Sequence, residues 1–223
     1  MRINQSVNTA TDPQGAREDA RPAEEHETRE RLLAAAHRVF LRKGTANART
    51  QEIADEAGVN KALLHYYYGT KAALADAVFA HHAGRLLPTI FGILGDPTRD
   101  IPTKVRDLVR EQITFQRANP YVAGFLAAEL HVEPDRMRRL MTAHGAPPYA
   151  LLQAQIDREA AAGTMRPMPA AQLVLTLMGA TLLPFIMRPM LGPFFGLEGE
   201  AFDAFLDQRL TVLPDLIIAG LRP

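Results

Sequence analysis

Apolar side chains recur every three to four residues through nearly all of this chain, a spacing that commits it to helices. Leu32, Leu33, Ala36, Val39 and Phe40 share one helical face, with Arg, Glu and His residues between them. The period returns at Leu74, Val78, Leu86, Leu87, Ile90, Phe91 and Leu94, and again at Ile101, Val105, Leu108, Val109 and Ile113. No hairpin dipeptide stands between alternating strands, so the expected class is all-α, with about nine helices. Gly44, Asn119-Pro120, Gly145 with Pro147-Pro148, and Gly163 mark the expected helix ends. The helix after Pro169 is expected to end near Met190. Pro193, Gly196 and Gly199 then form a connection before a last helix running to about Gly220.

Two stretches depart from this pattern. Residues 1–22 are polar, contain Pro and lack periodicity, so they read as a flexible N-terminal arm with no apolar run of signal-peptide length. Residues 173–187 are strongly apolar, but Thr176, Gly179, Thr181 and Pro184 interrupt them, and they fall short of the roughly 18 residues that span a bilayer. A buried helix, no membrane partner and a cytoplasmic location are therefore expected. Lys plus Arg and Asp plus Glu are both 25, so any contact with nucleic acid must come from a local patch. The absence of cysteine removes disulfides, thiolate metal sites and cysteine nucleophiles.

The most informative segment covers residues 49–68, read as two short helices about a turn at Gly58. Ala54 is small where the two helices approach, Gly58 supplies the positive φ such a turn needs, and Val59 plugs it from beneath. Asn60 is a good N-cap for the second helix. Leu64 falls on the face that Ile53 and Val59 cover, which leaves Lys61, Ala62, His65 and Tyr66 pointing outward. Small and hydrogen-bonding side chains near the start of a short helix suit the base edges of a DNA major groove. Tyr67 and Lys71 flank this set and can reach phosphates, which fix register and supply salt-dependent affinity.

Residues 28–79 resemble the DNA-binding domain of the TetR family of bacterial repressors. The resemblance is carried by Phe40, Gly44, Ile53-Ala54, Ala57-Gly58-Val59, Leu64 to Tyr68, and Lys71 with Leu74. Two departures stand out. Ala48 and Arg49 occupy the entrance to the second helix, where Thr or Ser is usual, so capping is expected to pass to Asn47 and a phosphate charge to Arg49. Tyr67 and Tyr68 stand where His and Phe are common, and a buried Tyr68 needs a partner for its hydroxyl.

The resemblance implies a homodimeric, sequence-specific repressor, released from a near-palindromic double-stranded operator by a small, apolar ligand. It implies three parts: an arm at 1–22, a helix-turn-helix domain at 23–79, and a helical effector-binding and dimerisation domain at 80–223. DNA contacts are expected from Arg49, Thr50, Asn60, Lys61, Ala62, Leu63, His65, Tyr66, Tyr67 and Lys71. Candidate pocket residues are Phe115, Tyr121, Phe125, Met137, Met141, Tyr149, Met178 and Phe185. The dimer stripe is expected along Leu173, Leu177, Phe202, Phe205, Leu206, Leu213, Leu216 and Ile217. Glu111, Glu129, His131, His144, Asp157 and Glu159 form no recognised catalytic or metal constellation, and His81-His82 are neighbours that do not face one site on a helix. No enzymatic activity, cofactor or metal is expected.

Overall fold

A computed structural model describes the backbone of residues 15–223, Tyr121 and Glu133 excepted. Side chains are described from Glu24 onward, apart from residues 121, 131–133, 136, 137, 140 and 141. Among the described residues the secondary structure is entirely helical. The N-terminal part consists of α1 (Gly15–Asn47), α2 (Thr50–Ala57) and α3 (Lys61–Tyr68), followed by the long α4 (Lys71–Gly95). The remainder comprises α5 (Ile101–Ala118), α6 (Val122–Val132), α7 (Pro134–Ala143), α8 (Tyr149–Ala161), α9 (Ala170–Ile186), α10 (Arg188–Phe195) and α11 (Glu200–Leu221).

Two boundaries differ from expectation. α1 starts at Gly15, inside the stretch read as an arm, because Ala16, Arg17, Glu18, Ala20 and Arg21 are good helix formers even without an apolar stripe. Residues 1–14 of that arm lie outside the described residues. The second difference is α10, which occupies the expected connection. Pro189 stands in its first turn, where a missing N–H costs nothing, and Gly196 closes it in the left-handed conformation. At Gly44 the expected break is present as φ 72° and ψ 160°, a conformation that interrupts α1 three residues before its end.

Buried side chains fall into two clusters. One joins Leu32, Val39 and Phe40 of α1 to Ile53, Leu64, Leu74, Val78 and Phe79. The other is built from Ile93 and Leu94 at the end of α4 with the inward faces of α5, α8, α9 and α11. α4 runs between them. By length and hydropathy α4 could also cross a membrane, yet both of its ends contribute to these clusters. α6 supplies a second connection, since Phe125 stacks 6.3 Å from Phe40 and lies 4.8 Å from Phe79. Beside it the Thr45 hydroxyl donates to the buried Glu129 carboxylate.

Candidate nucleic-acid interface

The geometry of α2 and α3 begins with how α2 is fastened. Glu52 and Glu56 lie one turn apart and face a basic edge of α1: Lys43 donates to Glu52 at 2.6 Å, and Arg38 and Arg42 donate to Glu56 at 2.8 and 2.6 Å. Arg42, then Arg38, holds the Glu56 carboxyl down at about 2. The Lys43 bond and the Arg49 backbone N–H lower Glu52 as well. That N–H donates to Glu52 at 3.3 Å, so α2 is capped from inside its own first turn. The expected Asn47 cap does not form: its side-chain amide turns back to the Lys43 carbonyl at 3.1 Å. Ala48 is buried in the core, which leaves Arg49 exposed at the helix entrance.

The turn into α3 follows the sequence closely. Gly58 has φ 65° and ψ 36°, and its N–H and that of Val59 bond back to Asp55 and Ala54 at 3.1 and 3.0 Å. Arg31 of α1 donates to the carbonyls of Ala57 and Gly58 at 2.7 and 3.2 Å, placing a cation where the helix dipole is negative. Sequence reading missed this arginine, although the spaced pairs Arg38/Arg42 and Glu52/Glu56 were a visible signal that α1 and α2 clasp by charge. Asn60 accepts from the Ala62 N–H at 2.9 Å and caps α3 as expected.

Leu64 is fully buried and orients α3. Lys61, Ala62, Leu63, His65 and Tyr66 are exposed on its other sides, Tyr66 at 73%. Tyr67 is half-buried and braces Tyr66 edge-to-face, with ring centroids 5.0 Å apart. His65 Nδ1–H donates to the Gly69 carbonyl at 2.9 Å, which leaves Nε2 as the ring atom for an external partner. Tyr68 finds the partner its hydroxyl needs, donating to the Arg29 carbonyl at 3.0 Å.

Lys71 is placed differently from its expected phosphate role. Its ammonium donates to the carbonyls of Ala46 and Ala48, each at 3.0 Å, so two of its three donors secure the α1–α2 junction. Arg49 and Lys61 are exposed, and among the described residues neither cation forms a hydrogen bond or close ion pair, although Arg49 still helps to lower the Glu52 carboxyl through space.

Residues 32–78 match the family of bacterial regulatory proteins, tetR family. The chain carries a TetR-type helix-turn-helix domain over those residues. Its helix-turn-helix domain makes it a DNA-binding transcriptional regulator. Solved structures extend the likeness to the whole fold. A TetR-family transcription regulator from Marinobacter aquaeolei VT8 is 17% identical, with a TM-score of 0.65 over 90% of this chain and 98% of that one. HlyIIR, a hemolysin II transcriptional regulator, is 21% identical, with a TM-score of 0.60 over 89% and 99%. A TetR/AcrR-family regulator from Thermobifida fusca YX-ER1 is 19% identical, with a TM-score of 0.58 over 87% and 98%.

Beyond α4 the chain departs from the sequence expectations. Leu173, Leu177, Phe202, Leu206 and Leu213 are 1–6% exposed within the single chain, so they belong to its own core and offer a second copy nothing. Phe205 and Ile217 are half-buried, and only Leu216 of the expected stripe stands out, at 67%. Both helices turn their densest apolar face inward; the outward face of α9 and α11 carries Leu175, Met178, Leu183 and Val212 instead.

Among the described residues, the expected pocket positions do not converge. Phe125 packs into the N-terminal cluster, Tyr149 and Met178 are exposed, and Phe115 is half-buried edge-on to His82 at 6.3 Å. Phe185 lines a 350 Å³ cavity with Arg117, Arg188 and Phe202. Tyr121 and the side chains of Met137 and Met141 lie outside the described residues. Among the described residues, the side-chain polar atoms buried without a hydrogen bond sit elsewhere: His37 Nε2, His82 Nδ1, Gln112 Oε1 and both amide atoms of Gln116.

Proposed function

We propose that this chain is a homodimeric repressor that reads a near-palindromic operator through α3 and leaves it when a small ligand binds beyond α4. The observation that carries this reading is the exposed set Lys61, Ala62, His65 and Tyr66 on a short helix fixed from behind by Leu64 and capped by Asn60. Lys61, His65 through Nε2, and Tyr66 are the base-reading candidates, while Leu63 and Ala62 suit thymine methyl groups. Arg49, Thr50, Asn60 and Tyr67 are assigned to phosphates. Lys71 is assigned a positioning role, because its bonds hold the entrance at Ala48.

In this division residues 23–79 form the DNA-binding part and 80–223 the dimerising and ligand-binding part, coupled through α4 and α6. An effector shifts operator affinity only by its differential affinity for two arrangements of these parts. The unpartnered amide of Gln116, which is fully buried, favours a ligand that offers hydrogen bonds over a purely apolar one.

The test is selection of bound sequences from random DNA by the full chain. The expected result is an enriched inverted repeat, and the Lys61→Ala/His65→Ala variant should lose preference for it by 10-fold or more, about 1–3 kcal/mol per lost base contact. Absence of any enriched sequence, or a double variant that binds it as tightly as the parent, would overturn the assignment of α3.

A further inference from the structure

Nine of the fifteen large apolar side chains exposed among the described residues lie on α9, α10 and α11, and a tenth, Met187, lies at the α9–α10 junction. α9 and α11 lie side by side, joined where Arg209 donates to the Ala180 carbonyl and where Phe185 meets Phe202, and on this pair Leu175, Leu183, Val212 and Leu216 stand exposed as an apolar stripe. The stripe does not stop at the end of α9. Ile186 and Met187 continue it across the junction, and Met190, Phe194 and Phe195 carry it along α10, the last two 68% and 69% exposed.

α10 is a braced element. It leaves α9 at a bend of 77°, and Leu191 anchors it in the core cluster. Gly196 and Leu197 donate back to Gly192 and Leu191 at 2.8 and 3.2 Å. Adjacent residues on a helix point about 100° apart, so exposure of both Phe194 and Phe195 leaves most of the last turn uncovered.

Area decides what covers it. From these fractional exposures, and a large side chain's roughly 150–250 Å², the α9/α11 stripe alone offers about 500 Å². With the α9–α10 junction and α10 it reaches about 1,000 Å², against the about 800 Å² per partner that a standard stable interface buries. A lone monomer's largest patch is about 300–600 Å².

We propose that α10 is a dimerisation arm whose Phe194 and Phe195 seat on the partner copy, so that the interface reaches full size only with both arms engaged. The proposal rests on the homodimer reading above, and twofold symmetry makes the contact reciprocal. Charge argues for a second copy over a membrane surface: Arg188 is the single charge in α10, and its guanidinium lies over the Phe202 ring at 5.0 Å. A helix lying on lipid needs a basic polar face that this segment lacks.

The experiment is sedimentation equilibrium of the full chain, its Phe194→Ser/Phe195→Ser variant and a Leu216→Glu variant, with helical content checked by circular dichroism. The parent should be a dimer, and the Phe194/Phe195 variant should weaken association at least 100-fold with unchanged helicity; Phe195→Arg alone replaces it if helicity falls. An unchanged association constant, while Leu216→Glu gives monomers, would overturn the arm and leave the dimer standing. A parent that stays monomeric at tens of micromolar would overturn the dimer reading itself. Flotation with phosphatidylcholine/phosphatidylglycerol vesicles that depends on Phe194 and Phe195, with dimerisation unaffected, would assign the patch to lipid and also overturn the arm.

Discussion

At the scale of single residues, the turn between α2 and α3 concentrates two constraints on one atom. Gly58 has a left-handed φ of 65°, and a Cβ built there meets the Arg31 guanidinium at 3.2 Å. Gly58→Ala should therefore cost about 1–2 kcal/mol, measured by chemical denaturation. Equal stability would show that the turn relaxes freely. His82 sets a different constraint. Burial, then the neighbouring His37, His81 and Arg85, pushes it down to about 3 from the ordinary 6.5. The unfolded chain thus binds a proton between those values that the folded chain refuses. Stability from this site is complete above about pH 6.5 and is lost as pH falls towards 3. Thermal unfolding should show a melting temperature that falls between pH 7 and pH 5, and His82→Gln should flatten that dependence. An identical slope in the variant would assign the acid sensitivity elsewhere.

At the scale of elements, α1 is more than the first helix of a motif. It clasps α2 by charge, caps the Gly58 turn through Arg31, and receives α6 through Phe125 and the Thr45–Glu129 bond. α6 therefore packs on the DNA-binding helices directly, in parallel with the long α4. Phe125→Ala should cost about 3–5 kcal/mol by removing a buried ring that meets both Phe40 and Phe79. On the reading proposed above it should also shrink any ligand-induced change in operator affinity. A variant that loses stability but keeps the full response would leave α4 as the sole lever.

At the scale of the whole molecule, the net charge of zero means that affinity for DNA rests on few cations. Lys43, Arg38 and Arg42 are occupied by Glu52 and Glu56, and Lys71 by carbonyls, which leaves Arg49 and Lys61 facing outward at the site. A dimer should accordingly show a modest dependence of binding on salt. Arg49→Ala should reduce the slope of log affinity against log salt by about 1 per protomer, with little change in which sequence is preferred. An unchanged slope would remove Arg49 from the phosphate contacts.

The sequence alone determined the helical class, the two-helix turn at Gly58, the Asn60 cap and the outward set on α3. Each rests on local rules: a period of 3.6, a positive φ, a side chain that reaches two residues ahead. What only the tertiary structure decided was which apolar face of a helix turns inward and which cation is already occupied. Leu173 and Leu206 looked like interface residues because an apolar stripe is the same signal whether its partner is the same chain or another copy. Lys71 looked like a phosphate ligand because nothing in its neighbours along the chain names the carbonyls of Ala46 and Ala48. Burial and pairing are properties of what packs against a residue, and that partner lies more than twenty positions away in the chain.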